Sequence, residues 1–296
     1  MPAHFNPRNV LGAEIRRVLR HQLADAARRA TGPETLADRV HAARTASKRL
    51  RAALRLLKSE APEFVAVESG WLRALARQLA ASREAEVRVI VLDSLQTLPP
   101  DRAAAAALRR IRARLTAERA AQRAAGAGVE RVLAGFARRA RAADRRTAVL
   151  ELDANGFGLV FEGFAKTYRR ARRAFFRARV RKGGPAVHDW RKAAKAHSEH
   201  CRLLQAARPK ALKRRHRELA ALCVLLGTHH DLENLRDHLK ANPAVARSDG
   251  DFALRHIARR QEALLTAALR TGRRLFAAKP RSLRNRVRAG WKAASR

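Results

Sequence analysis

Acidic residues are scarce. The 296-residue chain has 26 Asp plus Glu against 65 Lys plus Arg, a formal charge of +39. Charge of one sign on this scale opposes compaction and exceeds what solubility requires, so it points to a polyanionic partner: nucleic acid, polyphosphate or an anionic surface. Aromatic residues make up only 5 % and β-branched runs are few, which argues against strands. The dominance of Ala, Leu, Arg and Glu predicts helix nearly throughout. Cys201 and Cys223 are the only cysteines. Both lie in apolar, helix-like contexts, read as small buried side chains rather than a disulfide or metal pair, and fit a reducing compartment. No stretch approaches the roughly 18 apolar residues of a membrane span, and Met1 to Arg8 lacks the apolar core of a signal peptide. The expectation is a cytoplasmic, all-α protein without membrane insertion. Hydrophobic residues, at 47 %, supply enough apolar surface for a core and exclude a disordered basic tail.

Turn signals at Thr31-Gly32-Pro33, Pro99-Pro100, Gly126 to Gly128, Gly183-Gly184-Pro185, Asn242-Pro243 and Lys279-Pro280 separate long amphipathic segments. Between Glu34 and Lys58, His41, Arg44, Lys48, Arg51 and Arg55 fall at offsets of 0, 3, 7, 10 and 14. At about 100° per residue this is one narrow helical stripe. The opposite face carries Ala43, Ala46, Leu50, Leu54 and Leu57. The signature returns 147 residues later, where His188, Arg191, Lys195 and Arg202 occupy the same offsets and Ser198 stands in place of Arg51. Trp190, Ala193, Ala194, Cys201 and Leu204 form the apolar face, with His197 where the first copy has Leu50.

A second correspondence has the same period. Leu79, Arg83, Glu84 and Val87 align with Leu226, His230, Asp231 and Asn234, and each acidic residue follows its histidine, His41 or His188, by 43 residues. Two matches at one offset imply an internal duplication. The expected architecture is two small up-and-down bundles of about four helices each, residues 1–150 and 151–278. Residues 279–296, with Arg281, Arg284, Arg286, Arg288 and Lys292 around Trp291, are either a further amphipathic helix or a loose basic arm, and the arm is the expectation.

The paired segments His41-Ala-Ala-Arg44-Thr-Ala-Ser-Lys48-Arg49-Leu-Arg51 and His188-Asp-Trp-Arg191-Lys-Ala-Ala-Lys195 resemble the motifs of the conserved-histidine α-helical domain, the CHAD family. Arg83-Glu84 and Leu226-Gly227-Thr-His-His-Asp231 resemble that family's second motif, with Glu84 in place of the more usual Asp. The resemblance implies an all-α fold of two pseudo-symmetric four-helix bundles around a central basic cavity, and binding of long inorganic polyphosphate without catalysis, a ligand that would associate the protein with polyphosphate granules. By this analogy the ligand residues are His41, Arg44, Lys48, Arg49, Arg51 and Arg55 in the first half, and His188, Arg191, Lys195 and Arg202 in the second. Arg83, Glu84, His230 and Asp231 are candidates to orient them. Arg17, Arg20, Arg169, Arg172 and Arg173 are candidates to extend the basic surface. A polyphosphate chain has no bases to read, so a row of forked guanidiniums and mobile ammoniums suits it.

Other readings of these residues are weaker. The exception is His41 and His188, which could as easily be structural, bonded to Glu84 and Asp231, as direct ligands. His229-His230-Asp231 cannot chelate one ion, because adjacent helical residues diverge by about 100°. No metal or cofactor is expected. Glu84-Ala-Glu86-Val-Arg88 resembles the Glu-x-Glu-x-Lys signature of triphosphate tunnel enzymes, but that signature needs a strand, and no Walker A loop is present. No nucleophile with a base can be assembled, so catalysis is not expected. The alternatives to polyphosphate are nonspecific nucleic-acid binding, favoured at low salt, and a granule scaffold. The lack of a recognition module and of stacking aromatics weighs against nucleic acid.

Overall fold

The computed structural model describes residues 4–95, 102–124, 127–152, 156–242 and 251–296. The turns expected at Pro99-Pro100, Gly126 and Pro243 lie outside the described residues. Eleven α-helices occupy the rest, with no strand among the described residues. They are α1 (Leu11–Ala30), α2 (Leu36–Leu54), α3 (Pro62–Gln78), α4 (Ala80–Leu95), α5 (Arg102–Ala124), α6 (Ala127–Ala148), α7 (Gly158–Arg181), α8 (Gly184–Leu203), α9 (Pro209–Ala241), α10 (Asp251–Leu275) and α11 (Pro280–Ala294). A short 3-10 turn, Gln205–Ala207, joins α8 to α9.

Local chemistry accounts for the helix ends. The Thr35 hydroxyl caps α2 by accepting from the Asp38 amide at 3.2 Å, and the Asp38 carboxylate accepts from that hydroxyl at 2.7 Å. Proline opens α3, α8, α9 and α11, where its missing N–H would have had no helical partner. Helix α7 stops at Lys182, which adopts a left-handed conformation with φ 45° immediately before Gly183. Helices α3 and α4 are separated only by a break at Leu79, whereas α9 runs unbroken for 33 residues.

Helices α1, α2, α3 and α6 pack on one another, and α7 to α10 pack in succession. Helix α2 also lies against α8, which joins the two groups. A large apolar core runs through both, from Leu11, Ile15 and Phe136 to Phe164, Trp190 and Phe276. A smaller core is built by α4 and α5 together with the distal part of α9 and the start of α10, around Leu92, Ile111, Leu232 and Ile257. Both cores therefore draw on residues from either side of residue 150, so the halves expected from the repeat are not packed independently.

The C-terminal segment corrects one expectation. Residues 280–294 form a helix rather than a loose arm, with Leu283, Val287 and Trp291 buried and the Trp291 ring 6.0 Å from that of Phe157. Three apolar residues at successive offsets of four make a stripe that outweighs the surrounding positive charge, and α11 docks on α7 and on the 205–207 turn. The Arg284 guanidinium stacks over Phe161 at 4.8 Å, while Arg281, Arg286 and Arg288 face outward.

The two groups of helices approach closely at Gly163 of α7. A Cβ there would lie 2.5 Å from the Leu56 Cα and 2.7 Å from the Arg55 carbonyl oxygen. Backbone cannot swing aside as a side chain can, so Gly163→Ala should destabilise the fold by about 1–3 kcal/mol. Gly70, inside α3 with no neighbour within 4 Å of its would-be Cβ, is the control. Gly70→Ala should leave stability unchanged or raise it by up to about 1 kcal/mol. Urea unfolding of the two variants checks this, and equal midpoints would contradict the close approach.

Candidate functional site

The apolar face of α2 is buried as its periodicity requires: Ala43, Leu50, Leu54 and Leu57 are all in the core, with Ala46 against its edge. The basic stripe consequently points outward. His41, Lys48 and Arg49 are exposed, and Arg44, Arg51 and Arg55 are half-buried. Arg44 has a structural duty as well, since its guanidinium donates to the Leu79 carbonyl at 2.7 Å and to the Ala76 carbonyl at 3.4 Å. These oxygens lie at the break between α3 and α4. Both acceptors are neutral, so the charge of Arg44 is not cancelled by them.

On α8, Trp190, Ala193, Ala194, Cys201 and Leu204 are buried, and His188, Arg191 and Lys195 form the outward row. Arg191 lies over Gly227 of α9, whose would-be Cβ is 3.7 Å from its Nη2. Arg202 departs from the expected role. Its Nε donates to Glu199 at 3.0 Å, and its Nη2 bonds the other carboxylate oxygen, so its charge is matched three residues away. Ser198 is buried and meets Nδ1 of His216 at 3.0 Å.

The acidic partner expected for His188 is not the one observed. His188 meets His230, with ring centroids 4.3 Å apart, and His230 Nδ1 lies 3.5 Å from Glu233. Asp231, one position further round α9, has no hydrogen bond or ion pair among the described residues. Glu84 is exposed, and the side chain of Arg83 lies outside the described ones. Burial, and after it the neighbouring His230, Lys192 and Arg191, push the His188 pKa down to about 4. The imidazole is thus neutral at pH 7 in the ligand-free protein.

The seam between α2 and α8 brings the rows together. His200 Nε2 donates to the Ala52 carbonyl at 2.7 Å, which leaves Nδ1 to accept from the Thr167 hydroxyl at 2.8 Å. Burial lowers this histidine's pKa to about 4 and keeps it neutral. Above the seam, the Lys195 pKa is lowered by burial first, then by Arg191 on its own helix, and also by Arg49 across on α2. Cations from both rows therefore act on one ammonium. Burial raises the thiols of Cys201 and Cys223 to about 11, which keeps both protonated at neutral pH.

Most candidates for extending the basic surface are engaged elsewhere. Arg17 is bonded to Glu14 at 2.6 Å, and Arg20 pairs with Asp144 at 2.9 Å. Arg169 lies 3.6 Å from Glu162, while Arg172 donates to the Phe276 carbonyl at 3.0 Å and stacks over Phe176. Arg173 is exposed. Sequence reasoning missed two residues. Burial and then Arg51, Arg170 and Arg73 push the Arg55 pKa down to about 10, which places Arg73 of α3 and Arg170 of α7 beside the end of α2. A cleft of about 630 Å³ between α1 and α6, lined by Arg28, Thr31, Arg141 and Arg145, contains no residue of either row.

The model of the CHAD domain matches residues 11–240. The chain belongs to the CHAD family. The crystal structure of the CHAD domain from the plant Ricinus communis superposes with a TM-score of 0.68 at 21 % identity, covering 94 % of this chain and 96 % of that one. That likeness is one of fold. No curated protein matches the chain. Among the described residues of this CHAD chain, no three His, Cys, Asp or Glu are grouped so as to hold a metal, and no helix is long and apolar enough to cross a membrane.

Acid should weaken this fold. His200 and His188 have folded pKa values of about 4, against about 6.5 in an unfolded chain, and burial also lowers the pKa of His197. Between those limits the unfolded chain binds protons that the folded one refuses. The stabilisation is complete above about pH 6.5 and is lost as pH falls toward 4. Urea midpoints should therefore drop between pH 7 and 5, and less steeply in His200→Gln. A flat profile over that window would mean that these imidazoles are protonated in the fold.

Proposed function

We propose that this CHAD chain binds long-chain inorganic polyphosphate, without catalysis, across the adjoining basic rows of α2 and α8. The observation that carries the reading is the packing of α2 against α8, joined by the hydrogen bond from His200 to the Ala52 carbonyl, which brings basic rows from distant parts of the sequence onto adjoining helices. The one carboxylate acting nearby, Glu199, is already held by Arg202. Like charges gathered in this way favour a ligand of dense, continuous negative charge. Residues spaced by three and four along a helix lie about 5–6 Å apart, which suits successive phosphoryl groups.

The duplication belongs to the same reading. Helix α7 starts 147 residues after α1, α9 starts 147 after α3, and Pro62 and Pro209 occupy equivalent first positions. At the same offset α11 corresponds to the second half of α6, so the second unit extends to residue 294 rather than 278. Two related units that place their rows about a shared seam would line one central basic site. A cytoplasmic location and association with polyphosphate granules follow from such a ligand.

Competition separates this reading from its rivals. Long-chain polyphosphate should displace duplex DNA of equal total charge at physiological salt, since base-reading and stacking elements are lacking. Equal affinities across a salt series would favour nonspecific nucleic-acid binding. Recruitment to granules that survives removal of polyphosphate would favour a scaffold.

The individual arginines should differ. Arg191→Ala removes a charged contact without a structural partner and should weaken polyphosphate binding by about 1.5–3 kcal/mol at unchanged thermal stability. Arg44→Ala should weaken binding and also lower stability, because the α3 carbonyls lose their donor. Arg202→Ala should lower stability with little change in affinity. Isothermal titration with parallel thermal unfolding checks all three. A large affinity loss in Arg202→Ala would contradict its assignment as a neutralised cation.

Binding should also depend on pH. A polyanion beside His188 favours the imidazolium and raises its pKa from about 4, so the complex takes up protons that the free protein does not. Affinity should rise as pH falls from 7 to 5, and His188→Gln should flatten the slope. An unchanged slope in that variant would place His188 away from the ligand.

A further inference from the structure

The end of α2 carries positive charge that the repeat does not explain. Arg51 and Arg55 are half-buried and lie one turn apart, on one face of the helix. Just beyond them α7 presses on the backbone at Leu56 through Gly163. Arg170 follows Gly163 by seven residues, about two turns, and so extends from the same face of α7 towards the end of α2. Arg73 approaches on α3, which packs along α2. The four arginines come from three helices that adjoin at the end of α2. Burial, with Arg73 beside it, lowers the pKa of Arg51, and Arg55 is lowered further, with no carboxylate acting on either.

The equivalent corner of the second half is built differently. There Ser198 stands for Arg51 and Ala220 for Arg73, and Arg202, the counterpart of Arg55, is bonded to Glu199. The first half has Ala52 where Glu199 would be. The cluster is therefore one-sided. Carbonyls at a helix C-terminus favour nearby cations, and the exposed Arg73 and Arg170 are solvated. Neither effect removes the cost of a half-buried Arg55 with three cationic neighbours. A compact, multiply charged anion would offset it.

A linear phosphate polymer offers such a group only at its ends. Internal phosphates carry one charge each, whereas a terminal phosphate monoester-like group has a second ionisation near pH 6, three free oxygens and nearly two charges at neutral pH. Guanidinium forks match those oxygens in pairs. Arg55 is also the last residue of the basic row before α7 crosses the chain, so the row ends where the charge is densest.

We propose that Arg51, Arg55, Arg73 and Arg170 form an end-group subsite that takes the doubly charged terminal phosphate of the chain and gives the bound polymer a direction. The end lies at the corner of α2, α3 and α7, and the interior runs along α2 and α8. The inference rests on the polyphosphate reading above.

The test uses the full chain and linear polyphosphate of one defined length, long enough to span both rows, either with free ends or with both terminal phosphates converted to singly charged phosphoramidates. Free-ended chains should bind at least about fivefold more tightly, the effect of an extra charge-assisted contact. Arg170→Gln and Arg73→Gln, both at exposed positions, should abolish that preference. Lys195→Ala should weaken both ligands equally and retain it. Tight but equal binding of capped and free-ended chains would overturn the end-group subsite while leaving the polyphosphate reading intact. A preference retained in Arg170→Gln would overturn the subsite in the same way. Failure of the wild-type chain to bind either ligand at physiological salt would overturn both.

Discussion

Two rows of like charge will not stay side by side unless something stronger holds the helices beneath them. In this chain that is the seam between α2 and α8, and the rest of the molecule is arranged around it. Apolar faces at period 3.6 bury Leu50 and Leu54 on one helix and Trp190, Ala194 and Cys201 on the other. His200 stitches the seam with one donated and one accepted hydrogen bond, and it can do so only while neutral. Burial keeps this imidazole neutral, with Arg55 a smaller cause, whereas the cations above it favour anions. Stability and anion affinity therefore respond to acid in opposite directions.

The two halves solve the same electrostatic problem in different ways. In the first, Arg44 is steadied by carbonyls at the break between α3 and α4, and Arg55 is left among other arginines. In the second, α9 is continuous, Arg191 lies over Gly227, and Glu199 matches Arg202. Positions that correspond at the 147-residue offset therefore need not carry equivalent work. A carboxylate one turn away is enough to change a cation from a ligand-facing charge into a structural one.

What could be read from the sequence follows from how local each feature is. Helix content, the buried faces of α2 and α8 and the outward row of cations depend on periodicity within a single segment, and they were legible. The pairing of Glu199 with Arg202, like that of Glu14 with Arg17, is also local, at i and i+3, and could have been read by weighing nearby carboxylates against each basic residue. The stripe of Leu283, Val287 and Trp291 was equally visible but was outweighed by the charge around it. Arg20 with Asp144, His188 with His230, and Arg73 and Arg170 beside Arg55 depend on how distant helices dock. No spacing within a segment reports these.

The central claim is that residues far apart in the chain form one site for one polymer. A double-mutant cycle on Arg49→Ala and Lys195→Ala, with long-chain polyphosphate titrated calorimetrically, tests it most directly, because the two side chains come from opposite rows and meet at the seam. Neighbours that share a ligand couple, whereas independent sites add within about 0.3–0.5 kcal/mol. The account predicts losses that depart from additivity by more than this, at an unchanged number of chains bound. Additive losses, with each variant removing part of the bound polymer at unaltered affinity, would mean two separate surfaces and contradict it.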